Sequence, residues 1–348
     1  MSNSESIFID GSMGEAGGQI LRTSLALSCI TGKTVHIENI RASRPKPGLG
    51  KQHLACVRAA CQICNGKCQG ASLGSKTLDF CPGDVQTGQF SFDVGSAGSA
   101  ALVAQTILPA LFLTAQTSTI KVSGGTHNPL APPFEFLKES FLPAIAAAGF
   151  RGSCKLIKPG FYPAGGGKMT FEVEGWRRQA DQMISLCEPN GHFEIQARIY
   201  TARLPAGIPQ RQEKLLLKSK LDFEIIEHIE VRDSKGPGNC VVIRVCGDKY
   251  TTVFTAFGRK GRPSHEVVRE VVRLVEDFLA SGAAVDHFLA DQLLMYMAIS
   301  KSGCFTTNEI SKHCATNMEI IKRFLPVSFD IDQEEKTYKV LCSGACVA

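Results

Sequence analysis

Gly11-Ser12 and Gly95-Ser96 lie about 84 residues apart, and the sequence repeats in kind around them. From hydrophobic periodicity, the first copy reads strand 7–10, the loop GSMGEAGG, helix 19–31, strand 34–40, a Pro/Gly loop, helix 52–64, and strands 67–69 and 77–80. The second reads strand 89–94, GSAGS, helix 100–114, strand 118–123, GGTHNPLAPP, helix 134–148, and strands 154–157 and 168–174. Ile37 and Ile120 keep nearly the same separation as the glycine-serine pairs. A third copy shows helix 285–299, strand 304–307, NEISKHCAT as a loop, helix 317–324, and strands 328–332 and 337–342. The period is longer than that of solenoid repeats and marks a triplicated β-α-β-α-β-β unit. Residues 185–280 interrupt the series with a strand, a basic helix 210–220, a strand, a GPGN turn, two strands and helix 264–280. That is enough chain for a small domain. The expected fold is therefore α/β (α+β). Three units form a main domain over 1–184 and 281–348, and a smaller α/β domain is inserted at 185–280.

Within the first copy, residues 40–53 read IRASRPKPGLGKQH, with Arg41, Arg44, Lys46 and Lys51 and no carboxylate. Pro45, Pro47, Gly48 and Gly50 forbid a helix there. From Gln52 onward Leu54, Val57, Cys61 and Cys64 fall at helical spacing. A stiff cationic loop thus runs into a helix start, where free N–H groups and the dipole favour anions. The pattern points to phosphate; a solvated basic loop is the alternative. At 44% hydrophobic and 20% charged, the 348-residue chain has ample apolar sequence for a core. A net charge of +5 permits a nucleic-acid partner without requiring one. No basic-then-apolar leader opens the sequence, and the longest apolar run, 100–115, is broken by Gln105, Thr106 and Pro109. The expectation is a cytoplasmic protein with no membrane partner. Cys61, Cys64 and Cys68 have the spacing of half a zinc site, yet two of them lie on an apolar helix stripe and read as small core residues. Cys342 and Cys346 are read the same way.

If the copies share a fold, corresponding loops come to corresponding places and can line one cleft. The loop between second strand and second helix carries a histidine in each copy: His53, His127 and His313. GSMGEAGG and GSAGS can present backbone N–H groups to an anion. Neither is a Walker or dinucleotide motif, because no G-K-[ST] follows and GEAGGQ has the wrong spacing. Cations, glycine loops, one carboxylate (Glu15) and imidazoles suit phosphoryl or nucleotidyl transfer, which depends on positioning and charge neutralisation. Neutral imidazole can serve as a covalent relay near pH 7, and a carboxylate can hold Mg²⁺ or Mn²⁺ against phosphates. His36, His192, His228 and His265 lie in or beside regular elements and read as structural or solvated.

The motifs IDGSMGEAGGQILR, IRASRPKPGLGKQHL, SAGSAALVAQTILPAL, GGTHNPLAPP, GFYPAGGG, FLADQL and SKHCATN, in this order, resemble those of the RNA 3′-terminal phosphate cyclases. The resemblance runs from about residue 7 to 341. It implies three β-α-β-α-β-β units, with a smaller α/β domain inserted before the last helix-strand-helix set. It also implies an ATP-dependent enzyme acting on RNA with a 3′-phosphate end. In that family a histidine takes AMP from ATP as a phosphoramidate, and AMP passes to the RNA 3′-phosphate. The neighbouring 2′-hydroxyl then displaces AMP to leave a 2′,3′-cyclic phosphate. Carried onto this chain, the nucleophile is His313. Gln105 and the run Phe288, Leu289, Ala290, Asp291 and Gln292 fall at ATP-contacting positions, with Pro132 and Phe136 on the adenine side. Glu15 matches the carboxylate associated with a divalent metal, Mg²⁺ or Mn²⁺. Arg22, Arg41, Arg44, Gln52 and His53 match polar positions expected at the RNA and its phosphates. Phe288 departs from the tyrosine common in bacterial relatives, His127 from an aspartate, and Ala16 interrupts a glycine run. A second reading is a non-catalytic cyclase-like factor in ribosomal RNA processing; such relatives lack the histidine that stands here as His313. A third, a general RNA-binding module, finds little support in the modest charge and 7% aromatics.

Overall fold

The computed structural model describes residues 6–344 except 178, 180, 181, 190 and 249; Cys346 lies outside the described residues. In the first unit β1 (Ile7–Asp10) and β2 (Val35–Glu38) pair in parallel and are joined by α1 (Gly18–Thr31). Then α2 (Lys51–Cys64) leads to β3 (Lys67–Gln69) and β4 (Leu78–Cys81), which return antiparallel and give the order β1-β2-β4-β3. The second unit repeats this with β5 (Gln89–Asp93), α3 (Ala100–Phe112) and β6 (Ser118–Gly124). A π-helical turn, Phe136–Phe141, runs into α4 (Leu142–Ala146), and β7 (Gly152–Lys158) and β8 (Gly167–Val173) complete the order β5-β6-β8-β7. The sequence suggests one continuous helix over 134–148. Pro143 has no N–H to give to the preceding turn, and the ladder there widens into the π turn.

The third unit opens with β9 (Ile184–Leu186), and the chain then leaves for the insert. The insert runs β10 (Phe193–Ala202), α5 (Gly207–Leu216), β11 (Phe223–Glu230), β12 (Gly238–Gly247), β13 (Thr251–Phe257) and α6 (Ser264–Ser281). Its sheet, β11-β10-β12-β13, has its own core around Ile199, Val241, Phe254 and Val271. The chain returns through α7 (His287–Ser300), β14 (Ser302–Thr307), α8 (Lys312–Phe324), β15 (Val327–Gln333) and β16 (Tyr338–Gly344). Because β9 pairs in parallel with β14, the third sheet has the same order as the others, and the insert enters between that unit's first strand and first helix. A boundary between 184 and 185 thus falls inside β9. The short strand has too few residues to show a period.

The helices pack in a cycle. Each unit's first helix lies on the second helix of another unit: α1 on α8, α3 on α2, and α7 on the π turn and α4. α3 is apolar around its circumference, and all its residues except Leu102 and Gln105 are buried. Burial of this kind stabilises by about 1.5–3 kcal/mol per large apolar side chain. Cys64 is fully buried, with its thiol donating to the Ala60 carbonyl. No helix among the described residues is long and apolar enough to cross a membrane.

Polar contacts fix the insert to the second unit. Buried Glu135 receives the Tyr200 hydroxyl of β10 at 2.6 Å and faces the His127 ring at 3.1 Å. Burial pushes the Glu135 carboxyl up, but His127 and Tyr200 outweigh it and hold it at about 2. Glu139 of the π turn pairs with Arg198 and Arg244 of the insert.

Candidate active site

The cycle brings the N-termini of α1 and α8 together. Gln19 and His313 are each the second residue of their helix, and they touch. His313 lies in the first turn of α8 and not in a loop, because Ser311 caps the helix by accepting the Cys314 N–H at 3.1 Å. At the corresponding junction between the first and second units, Gln52 holds the place of His313 and accepts the backbone N–H of Ser99 at 2.6 Å.

Of the three first helices, α3 is capped by the Ser99 side chain and α7 by Asp286. α1 begins at Gly17, with no side chain on its terminal N–H groups. The helix end facing His313 is thus left open to an anion. Side chains at Gly17 and Gly18 would displace their neighbours. A Cβ on Gly17 would lie 2.9 Å from Arg44 Nη2, and one on Gly18 would collide with His53 Nε2.

The Gln19 amide orients His313. Its nitrogen donates to Asp291 Oδ1 at 2.7 Å and to the His313 carbonyl at 3.2 Å. Those acceptors fix the amide so that its oxygen faces His313 Nδ1. An amide oxygen only accepts, so the Nδ1 proton is held and Nε2 is directed outward. Nε2 lies against Glu15 Oε2, and Glu15 Oε1 accepts from Arg44 at 2.5 Å. Burial first, then Arg22 and Arg44, lower the His313 pKa against the opposing pull of Glu15. Once Glu15 is engaged elsewhere, Nε2 carries a free lone pair. Asp291 also accepts from Asn317, and its burial raises its carboxyl to about 7.

Cations and a second imidazole surround the Gln19–His313 pair. Arg22 of α1 is half-buried, and among the described residues its side chain makes no hydrogen bond or ion pair. Arg41, at a left-handed φ of 57°, donates to the Gly48 carbonyl at 2.7 Å. His53 Nδ1 accepts the Gly50 N–H at 3.1 Å, so its proton sits on Nε2. Burial, with Arg22, Arg41 and Arg44, drives its pKa to about 3, which keeps the ring neutral. One cavity of about 2340 Å³ collects Glu15, Arg22, Arg41, Arg44, Gln52, His53 and His313. It also takes in Pro132, Phe136, Phe288, Asp291 and Gln292.

The sequence profile described as RNA 3′-terminal phosphate cyclase matches residues 13–331. The chain belongs to the RNA 3′-terminal phosphate cyclase family. It is 44% identical to the RNA 3′-terminal phosphate cyclase of Koribacter versatilis, over 97% of this chain and 95% of the relative. The cyclase of Ralstonia nicotianae is 40% identical over 94% of each chain. That of Salmonella enteritidis is 39% identical over 97% of this chain and 98% of its own.

Within this cyclase the remaining expected residues divide. Gln105, with Gln292 and Asp291, lines a smaller adjoining cavity of about 110 Å³, and its amide nitrogen donates to Gln292 Oε1. Leu289 and Ala290 are fully buried on the core side of α7, so their side chains do not reach the cleft. Phe288 is 46% exposed and packs on the His287 ring. Of the departures, His127 is a buried partner of Glu135, and Ala16 adopts a left-handed φ of 50°. Gln19, Ser311 and Asn317 escape sequence reasoning. The S-x-x-C cap of α8 was a readable signal for Ser311; nothing local singles out Gln19.

Proposed function

We propose that this cyclase converts an RNA 3′-phosphate end to a 2′,3′-cyclic phosphodiester, with ATP as the source of activation. His313 Nε2 attacks the α-phosphorus of ATP; the N–P bond forms as the bond to pyrophosphate breaks. An oxygen of the RNA 3′-phosphate then displaces His313 and takes AMP. The adjacent 2′-hydroxyl attacks the activated phosphorus, loses its proton and expels AMP. The observation that carries this reading is the His313 ring, pinned at Nδ1 by Gln19 beside the uncapped start of α1, with Nε2 turned to Glu15, which Arg44 pairs from its other oxygen.

Arg22 and Arg44, with the α1 N–H groups, neutralise the phosphates, and neutral His53 offers Nε2–H as a further donor. Gln105 and Gln292 leave one amide oxygen and one amide nitrogen unpaired among the described residues, a matched acceptor and donor for a base edge. Phe288 and Pro132 supply apolar surface in the cavity that Gln292 also lines, where Phe136 is buried. Among the described residues no group of three His, Cys, Asp or Glu side chains could hold a metal ion. Glu15 nevertheless fits Mg²⁺ or Mn²⁺, since one carboxylate with substrate phosphates and water is a common way to hold such an ion; when bound it would neutralise phosphate charge.

The test is incubation with α-labelled ATP and a divalent metal, without RNA. Covalent label mapping to His313 is expected, and His313→Ala should lose it while staying folded. Label that persists in the variant would move the nucleophile elsewhere. The non-catalytic alternative requires no label at all.

A further inference from the structure

We infer that the insert and the main domain together form a track for the single-stranded RNA upstream of the reacting end. The inference builds on the cyclase reading only for the identity of that end. The cavity that holds His313 continues onto the insert, where its wall carries Arg211 and Lys214 of α5 and Arg259 and Lys260 of the loop after β13. All four are exposed. Among the described residues none of their side chains makes a hydrogen bond or ion pair.

Neighbouring charges are satisfied instead: Arg262 pairs with Glu266 and Glu270, and Glu213 faces His228. Arg211, Lys214, Arg259 and Lys260 therefore stand as unneutralised positive charge on the cavity wall. Glu309, on the main domain between β14 and α8, lines the cavity as an opposing carboxylate.

The same cavity also exposes apolar side chains. Tyr162 is 64% and Leu130 96% exposed, and both line it with Phe288. Large apolar faces inside a cationic groove suit unstacked bases, which stack on such faces while the backbone follows the charge. A duplex keeps its bases covered and gains nothing from them. Size agrees, since pockets for single small ligands span roughly 300–1,000 Å³, while this cavity holds about 2340 Å³. The buried Glu135 contacts and the Glu139 pairs hold the insert in place, so both walls are formed before RNA arrives.

The test uses the full chain with two paired charge reversals, Arg211→Glu with Lys214→Glu, and Arg259→Glu with Lys260→Glu. Binding is read by fluorescence anisotropy, and unfolding midpoints check that the variants stay folded. The probes are a 3′-phosphate oligonucleotide of about a dozen nucleotides, a hairpin of the same length, and a nucleoside 3′-phosphate as competitor. Each reversal should weaken oligonucleotide binding about tenfold or more. It should also flatten the salt dependence by about 0.7 in log–log slope for each phosphate that is no longer neutralised. Binding of the nucleoside 3′-phosphate should not change.

Undiminished oligonucleotide binding, or an equal loss for the nucleoside, overturns the track. A hairpin bound as tightly as the single strand, with the same sensitivity, assigns the wall to duplex RNA and also overturns it. Because binding is read directly, the two readings separate. Length-dependent binding that disappears on reversal, in a protein that forms no cyclic end, leaves the track standing and overturns the reaction. Cyclisation that ignores the reversals at every RNA length overturns the track alone.

Discussion

Gln19 is the residue through which the account of His313 can be tested most sharply. Gln19→Leu keeps much of the side-chain volume and removes both the acceptor on His313 Nδ1 and the donors to Asp291 and the His313 carbonyl. Asp291 keeps Asn317 as a partner, so the buried carboxyl is not stranded. A hydrogen bond of this kind contributes about 0.5–1.5 kcal/mol, and each 1.36 kcal/mol is about tenfold in rate. With one to two orienting bonds removed, the first-order rate of self-labelling at saturating ATP should fall by more than about twofold and by up to about 150-fold. The ATP concentration for half-maximal rate should stay within about twofold, because the loss lies in orienting the nucleophile. Gln19→Glu restores an acceptor for Nδ1 but sets a carboxylate against Asp291. The Asp291 carboxyl, raised to about 7 by burial, can then serve as donor only where it is protonated. Gln19→Glu should therefore recover more of the rate below about pH 7 than above it. The assay is rapid-quench labelling with α-labelled ATP in the absence of RNA. A Gln19→Leu rate within twofold of the parent, or a loss wholly in ATP affinity, refutes the positioning argument.

Three further outcomes are expected. The His313 pKa is lowered below its ordinary value by burial, with Arg22 and Arg44 adding to the effect; labelling should be flat above about pH 6.5 and fall only below it, and an acid limb centred higher contradicts this. Arg44→Ala should weaken handling of 3′-phosphate RNA more than of 3′-hydroxyl RNA of the same sequence, because a guanidinium grips a terminal phosphate through two hydrogen bonds; equal losses would mean that it only tracks backbone. His127→Ala leaves buried Glu135 with the Tyr200 hydroxyl but no facing imidazole and should cost about 3–5 kcal/mol in urea unfolding near neutral pH. Because Glu135 is held at about 2, its contribution is full above the ordinary carboxylate range and lost as pH falls towards 2. The gap between parent and variant should narrow in acid, and a constant gap argues against the pair.

The triplicated unit was legible because its apolar periods are strong, and α3 and α7 announce themselves as runs of apolar residues. β9 was hidden because three residues carry no period, and its partner β14 is more than a hundred residues away. The cationic loop and its glycines were legible as chemistry, since Arg41, Arg44 and His53 stand close together in sequence. Their target was not. Arg44 reaches Glu15 across 29 residues, and His313 meets Gln19 across 294. The link between those distant residues is the packing of α1 on α8, which no local pattern encodes. His127 shows the reverse case: the sequence groups it with His53 and His313, yet those two lie in the first turns of α2 and α8, while His127 is buried against Glu135 and helps pin the insert.

The central claim is that AMP passes from His313 to the RNA end before the 2′-hydroxyl closes the ring. The direct measurement compares two 3′-phosphate substrates of one sequence, one ending in ribose and the other in a 2′-deoxy sugar, each incubated with the protein, ATP and metal. The ribose end should become a phosphatase-resistant cyclic phosphate, releasing AMP in equal amount. The deoxy end has no hydroxyl to displace AMP and should accumulate as an AMP-capped species that migrates more slowly on a gel. A ribose end that cyclises while the deoxy end never takes up AMP contradicts the account, and direct attack of the 2′-hydroxyl without a capped intermediate would replace it.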